Sequence, residues 1–288
     1  MNKQPITLKI KSIYRDLSKK ETAIADFLLE DPKKVSRMTI NEISSALGFA
    51  DSTVFQFTRK LGYRGFRDFR NDLLTEEFDP EISIHENIKR TDHALEMAQK
   101  VFESTIQSLQ STSALLRKED LERASQLIID ASRLFFFGVG GSNVVCYDAY
   151  HKFLRSPVPC QFAIDFHIQL MQASLLKPDD CALIVTHTGL TRETMKLAEI
   201  AREKEASIIV LTSYPLSPLA KLADAVLISL SEETGYRSES LSSRIAQLAI
   251  IDSLFTIIMF EDEKKSKETL HAIRRVINET KEDQGREK

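Results

Sequence analysis

Cys181-Ala-Leu-Ile-Val-Thr-His-Thr-Gly-Leu-Thr-Arg-Glu-Thr194 is the stretch whose reading decides the fold. Its first residues, Cys181 to Val185, are an apolar run that reads as a buried strand of a parallel sheet. The run stops in a small hydroxyl-rich turn of Thr186, Thr188, Gly189 and Thr191. An amphipathic helix is expected from about Thr191 to Lys204. Strand, hydroxyl/glycine turn and helix together make a seat for an oxyanion. Amides at a helix N-terminus are unpaired donors, the helix dipole favours negative charge, and threonine hydroxyls add donors without adding charge. Gly189 allows the backbone to approach a ligand or to take a positive φ. The plainer reading of one such loop is a βα connection whose threonines cap the helix.

Working outward, apolar runs recur at 134–139, 158–163, 182–185, 208–212 and 225–229, with helical patterns between them. Helices are expected from about Ser142, over 165–176, over 191–204, and briefly from Pro215-Leu-Ser-Pro218 to Leu222. Alternation of this kind implies an α/β body with a doubly wound, five-stranded parallel sheet, whose ligands sit at the carboxyl ends of the strands. The first strand ends in Gly138-Val-Gly-Gly-Ser-Asn143 and opens a helix. It contains G-x-G, but Asn143 stands where a dinucleotide fingerprint has its third glycine, and no acidic residue closes the second strand. Phosphate or sugar binding is therefore favoured over a nucleotide. Gly140, Ser142, Asn143, Thr186, His187, Thr188, Gly189 and Thr191 are the candidate ligand residues.

Residues 1–78 lack strand-like alternation and read as short helices. Ser18-Lys-Lys-Glu21 and Thr39-Ile-Asn-Glu42 are capping-box patterns. The first opens a helix ended by Asp31-Pro32, and the second a helix closed by Gly48. Another helix is expected from Asp51 to Leu61. Two short helices joined by a glycine-containing turn are the helix-turn-helix signature. On the second of them Val54, Phe57, Thr58 and Leu61 share one face, opposite Ser52, Gln56 and Arg59, with Thr53 and Lys60 at one edge and Phe55 at the other. Gln and Arg suit major-groove edges, and Arg59, Lys60, Arg64, Arg67 and Arg70 would grip phosphates. Phe55 would either meet a thymine methyl or pack against the N-terminal helix. A polar-faced helical bundle that never touches DNA is the alternative for the whole segment.

The charge distribution agrees with a DNA-binding head. The chain carries a net charge of −3, yet residues 1–75 hold 14 Lys/Arg against 9 Asp/Glu and the remainder holds 25 against 33. A basic head on an acidic body suits a polyanion at one end and a different partner at the other. The 288 residues, 42% hydrophobic and 28% charged, are ordinary for a soluble globular chain of one large or two smaller domains. The longest apolar run, 248–260, is broken by Asp252 and Ser253, so no membrane span is expected. Met1-Asn-Lys-Gln-Pro5 lacks a signal-peptide core. Cys146, Cys160 and Cys181 have neither zinc spacing nor a disulfide framework, so reduced core cysteines, no metal and a cytoplasmic location are expected.

The run Thr39-Ile-Asn-Glu-Ile, Ala46-Leu-Gly-Phe, Ser52-Thr-Val and Arg59-Lys-Leu-Gly-Tyr-Arg-Gly-Phe66 resembles the N-terminal domain of RpiR/MurR-type bacterial transcriptional regulators. Ala50 stands where that family usually begins the recognition helix with Ser, which leaves Asp51 or Ser52 to cap it. Gln56 stands where the family often has Arg. Residues 115–262 resemble a sugar isomerase (SIS) domain, on the pair of hydroxyl-bearing loops with Lys152, Asp165-Phe-His-Ile-Gln169, Ser217-Pro-Leu-Ala220 and Ser243-Arg-Ile-Ala-Gln-Leu. The family's Ser-x-Ser-Gly turn appears here as Thr186-His-Thr-Gly189.

The resemblance implies a helix-turn-helix domain over 1–78, a linker and connecting helix over 79–118, and a phosphosugar-binding SIS domain over 119–288. It also implies an operator of double-stranded DNA, a phosphosugar effector, a homodimer or homotetramer, no cofactor and no catalytic residues. The competing expectation is a phosphosugar isomerase with an appended helical domain. His187, with His167 or Glu239 (or Glu232 or Glu233) as a partner, would supply its acid or base. His187 between two threonines reads as a hydrogen-bonding residue first. A helix over 238–260 is expected to be buried largely all round, and 264–288 to form a charged final helix fraying into a polar tail.

Overall fold

A computed structural model describes residues 5–75, 91–230 and 241–282. The head begins with α1 (Ile6–Ile13) and a 3-10 turn, Tyr14–Asp16. Helix α2 (Lys19–Glu30) starts at its capping box, with Ser18 and Glu21 exchanging side-chain-to-amide hydrogen bonds. Asp31-Pro32 ends α2 as expected, but it also starts a helix that the sequence reading lacked. Asp31 accepts from the Lys34 amide and Pro32 takes the first position of α3 (Pro32–Ser36). The second capping box opens α4 (Ile40–Leu47), and Gly48 closes it at φ 68°. Helices α5 (Asp51–Lys60) and α6 (Phe66–Thr75) complete the head. Ile10, Ile24, Ile43, Val54, Phe57 and Phe69 meet in one core, which fixes α5 against α4.

The connecting helix is α7 (Ala94–Leu115), with His93 at its N-cap. Its two halves differ. Ser108, Thr112 and Leu115 are buried, whereas Val101 and Ile106 are exposed together with Leu95 and Phe102. Thr112 is the fastening point: its hydroxyl donates to the Leu230 carbonyl and accepts from the Leu230 amide. Leu8 of the head packs beside Leu115 and Leu230.

After α8 (Lys118–Ile129) come β1 (Arg133–Phe137), α9 (Gly141–Phe153), β2 (Cys160–Phe162), α10 (Phe166–Ser174) and β3 (Asp180–Val185). Then follow α11 (Arg192–Glu203), β4 (Ser207–Thr212), a 3-10 turn at Ala220–Leu222, β5 (Ala225–Ile228), α12 (Leu241–Glu261) and α13 (Glu263–Glu282). All four strand pairings are parallel and the order is β2-β1-β3-β4-β5. The expected doubly wound sheet is present. Leu134, Phe136, Leu183 and Val185 pack with α8, α9 and α12, while Phe135, Phe137, Ala182 and Ile184 pack with α10 and α11. At the amino edge Asp180, fully buried, pairs with the Arg133 guanidinium of its register partner.

Helix α12 departs from the expectation of burial all round. Ala246, Ile250, Ile251, Leu254 and Ile258 are buried, but Ile245, Asp252, Thr256 and Phe260 form an exposed stripe at helical spacing. The stretch Ser243–Glu261 is long and apolar enough to cross a membrane by length and composition, with a mean hydropathy of 1.5, which the run-length reading missed. Its apolar face is accounted for by the sheet it covers. Lys152 ties α9 to α12, bonding Asp148 and, at 2.7 Å, Asp252. Burial opposes its charge, but the two carboxylates hold its pKa above the ordinary ammonium value. The end of the head at residue 78, the linker as far as residue 90, Glu232, Glu233, Glu239, the start of the 238–260 helix and the tail over 283–288 lie outside the described residues, as do residues 1–4.

Cys146, Cys160 and Cys181 are free and buried, as the sequence suggested. Burial pushes the Cys160 thiol up to about 11 and raises the other two further. Thiolate is the reactive form. The folded protein at pH 8 is therefore expected to leave Ellman's reagent unreacted on a timescale of minutes, with all three thiols reacting after unfolding in guanidinium. Rapid labelling of even one thiol in the native protein would contradict the burial described.

Candidate functional site

Strand order creates the site. From β1 the chain winds outward to β2 in one direction, then returns to β3 on the other side and continues to β4 and β5. The loops after β1 and β3 therefore leave neighbouring strands in opposite directions and open a crevice at the carboxyl edge, where doubly wound sheets bind ligands. Phe137 and Ile184 are register partners, so 138–142 and 186–191 emerge side by side. Two helix N-termini, of α9 at Gly141 and of α11 at Arg192, begin from these loops. Neither is capped by a side chain. In α9 the Ser142 and Asn143 amides already donate to the Val139 and Gly140 carbonyls, whereas the first-turn amides of α11 are available for an anion.

The first loop is shaped by backbone rather than charge. Gly140 sits at φ 57°, ψ −129°, a conformation open to glycine alone. Ser142 and Asn143 follow in the first turn of α9, both half-buried. Asn143 donates from Nδ2 to the Ile164 carbonyl at 2.9 Å, tying α9 to the loop after β2. Its Oδ1 is shielded from solvent with no hydrogen-bond partner among the described residues. Gln169, named in the sequence only as part of a family match, is the hidden support of this loop. Its buried amide accepts from the Gly138 amide at 3.1 Å and donates to the Gly138 and Ala163 carbonyls at 2.9 and 3.1 Å.

The second loop folds on its own hydroxyls. Thr186 accepts from the Gly189 amide at 3.2 Å and Thr188 from the Leu190 amide at 3.3 Å. Each keeps its hydroxyl proton for donation, which is the chemistry an anionic oxygen needs. Thr191 occupies the N-cap position of α11 without a side-chain cap bond, so the plain capping reading does not describe it. Gly189 needs both freedoms at once: φ is 65°, and a Cβ there would stand 2.2 Å from Ser217 Oγ.

His187 contacts the segment after β4. Its Nδ1 lies 2.9 Å from Ser213 Oγ and its ring meets Tyr214 edge to face, with centroids 5.5 Å apart. Its carbonyl accepts from the Ser213 amide and the Thr212 hydroxyl. These bonds give His187 a structural role in bracing the turn on β4. His167 is largely exposed on α10, beside Asp165 at 3.9 Å.

In the head, Val54, Phe57, Thr58 and Leu61 are buried while Ser52, Gln56 and Arg59 are exposed, as the helical wheel requires. Thr53 is half-buried at the edge. Helix α5 has no side-chain cap: Asp51 instead accepts from the Ser44 hydroxyl of α4, which locks the two helices together. The Phe55 ring lies over Gly65, where a Cβ would meet it at 3.4 Å. The cations divide into two kinds. Arg67 is exposed, and Arg64 is exposed with a surface pair to Asp68 that costs little to exchange. Lys60 turns inward to the Glu21 carboxylate at 3.1 Å and the Asp16 carbonyl at 2.9 Å, and Arg59 reaches the Tyr63 and Arg64 carbonyls. Lys60 would have to exchange an internal ion pair to meet a phosphate.

Residues 5–79 match the sequence profile described as helix-turn-helix domain, rpiR family, and residues 127–257 match that of the SIS domain. The chain is 34% identical over 249 residues to an uncharacterised HTH-type transcriptional regulator of Caldanaerobacter subterraneus, covering 86% of this chain and 88% of the relative. It is 31% identical over 276 residues to the HTH-type transcriptional regulator HexR of Escherichia coli K12, covering 96% and 95% of the two chains. Among solved structures, the NanR protein of Vibrio vulnificus, complexed with ManNAc-6P, shares the fold at a TM-score of 0.60 and 24% identity, over 96% of this chain and 99% of that one.

Proposed function

Because this chain belongs to the RpiR family of helix-turn-helix transcriptional regulators and carries a SIS domain, we propose that a phosphosugar bound in its body changes the affinity of its head for an operator. The observation that carries the reading is the pairing of two loops with neutral donors across the β1/β3 switch point. The phosphate would take the Thr186 and Thr188 hydroxyls and the open amides of α11, next to Gly189 and Thr191. The sugar would extend toward Gly140, Ser142 and Asn143. Its likeness to a protein complexed with ManNAc-6P supports this ligand class. Helix α5 would enter the major groove with Ser52, Thr53, Gln56 and Arg59, while Arg64, Arg67 and, after exchange, Lys60 meet phosphates.

The parts of this device are the head over 1–78, the connector over 79–118 and the body over 119–288. Two-fold DNA sites call for a homodimer or homotetramer, and the exposed apolar side chains Leu95, Val101, Phe102 and Ile106 of α7 suit such contacts. The protein acts in the cytoplasm, on DNA, with no membrane, cofactor or metal, and without catalysis.

A panel of sugar phosphates, screened by thermal shift and then by DNA titration at fixed salt, tests the reading. Thr188→Ala is expected to weaken the effective sugar phosphate about tenfold, in line with loss of a hydrogen bond to a charged group, while DNA affinity changes less than twofold. An unchanged ligand response in Thr188→Ala would remove the turn from the site.

A further inference from the structure

The segment Thr212-Ser-Tyr-Pro-Leu-Ser217, which begins at the last residue of β4, touches the ligand turn on one side and the DNA-binding head on the other. Toward the turn, Thr212 and Ser213 bond the His187 carbonyl, Ser213 Oγ lies 2.9 Å from His187 Nδ1, and Ser217 Oγ fills the space beside Gly189. Toward the head, the Arg15 guanidinium stands 5.1 Å over the Tyr214 ring, and Leu216 packs against the head core. The Tyr214 ring carries both contacts, since it also meets His187, at 5.5 Å. We propose that this segment, through Tyr214 and Arg15, is the path by which occupancy of the 186–189 turn reaches the DNA-binding head, an inference that rests on the phosphosugar reading of that turn.

The physical requirement is that the ligand favour one arrangement of the head over another. The turn has little slack. Gly189 is pressed against Ser217, and His187 is held by four contacts to 212–214. A phosphate drawing the Thr186 and Thr188 hydroxyls toward itself shifts the peptide between them, and that peptide carries His187. The ring moves with it and changes the platform on which Arg15 rests. A cation over an aromatic face is sensitive to such a shift, because the attraction depends on the cation's position over the ring. Arg15 is exposed and sits in the 3-10 turn that joins α1 to α2, so it can be changed without opening the head core. Tyr214 and Arg15 are thus positioning residues, outside both the ligand-binding and the DNA-reading sets.

The test is the ratio of DNA affinities with and without a saturating sugar phosphate, for wild type, Arg15→Ala, Arg15→Lys and Tyr214→Leu. ManNAc-6P, glucose 6-phosphate, fructose 6-phosphate and ribose 5-phosphate serve as probes, each with a thermal-shift measurement of its binding. Wild type is expected to show a ratio of at least about fivefold with one probe, the lower end of ordinary allosteric coupling. Arg15→Ala and Tyr214→Leu should bring it below about twofold. Arg15→Lys, which keeps a cation over the ring, should fall between. The thermal shift given by the probe should remain in Arg15→Ala, which separates lost coupling from lost binding. Two variants keeping the wild-type ratio would overturn the path while the phosphosugar reading stands. Loss in Tyr214→Leu alone would also overturn it, because the head contact would then carry nothing. A wild-type ratio of one for every probe would overturn the phosphosugar reading and the path together.

Discussion

Gln169→Leu is expected to lower the stability of the body by about 3 kcal/mol or more. The substitution leaves volume nearly unchanged but strands three backbone groups, the Gly138 amide and the Gly138 and Ala163 carbonyls, that the native amide satisfies. A buried polar group left without a partner costs about 1–3 kcal/mol, and Gln169 is fully buried. Urea unfolding followed by circular dichroism reads the loss directly. Because Gly138 begins the loop that carries Gly140 and Ser142, the sugar-phosphate thermal shift should disappear as well. A midpoint corresponding to less than about 1 kcal/mol of change would mean that water replaces the amide, and that the loop does not depend on this clamp.

Gly189→Ala should remove ligand binding altogether. Two costs coincide there. A left-handed φ costs a residue with a Cβ about 1–2 kcal/mol, and the added carbon would stand 2.2 Å from Ser217 Oγ and 2.6 Å from Ser217 Cβ, so the turn has to move. The companion variant Gly189→Ala/Ser217→Gly separates them, since it vacates the space and leaves only the backbone cost. Partial recovery of sugar-phosphate binding in the double variant is the expected outcome. If the single variant bound normally, the turn would be adaptable enough to rule out a tightly built phosphate seat.

How far the sequence spoke for itself depended on whether the signal was local. Both capping boxes, the αL glycine at Gly48 and the five apolar runs are local, and each is found where it was expected. Helix α1 was not anticipated because Pro5 offers no side-chain cap and Ile6, Leu8, Ile10 and Ile13 do not advertise a clean helical period. Helix α3 was hidden by a proline read as a terminator when it was also an initiator. The two ligand loops could be listed from sequence, and the sheet order then explained why they adjoin. What no local pattern could reveal was long-range. Gln169 meets Gly138 across 31 residues. Arg15 meets Tyr214 from the other end of the chain. Lys60 read as a DNA cation because its partner Glu21 lies 39 residues away.

Thr112 deserves a last consequence for engineering. One hydroxyl serves the amide and the carbonyl of Leu230, as a further strand would, at the last turns of α7. A chimera that grafts a foreign head onto this body should therefore join upstream of Ser108, so that the recipient keeps its own latch. A junction placed after Leu115 would import whatever residue the donor has at that point. A valine at position 112 would match threonine in shape, yet give up both bonds to Leu230 just beyond β5.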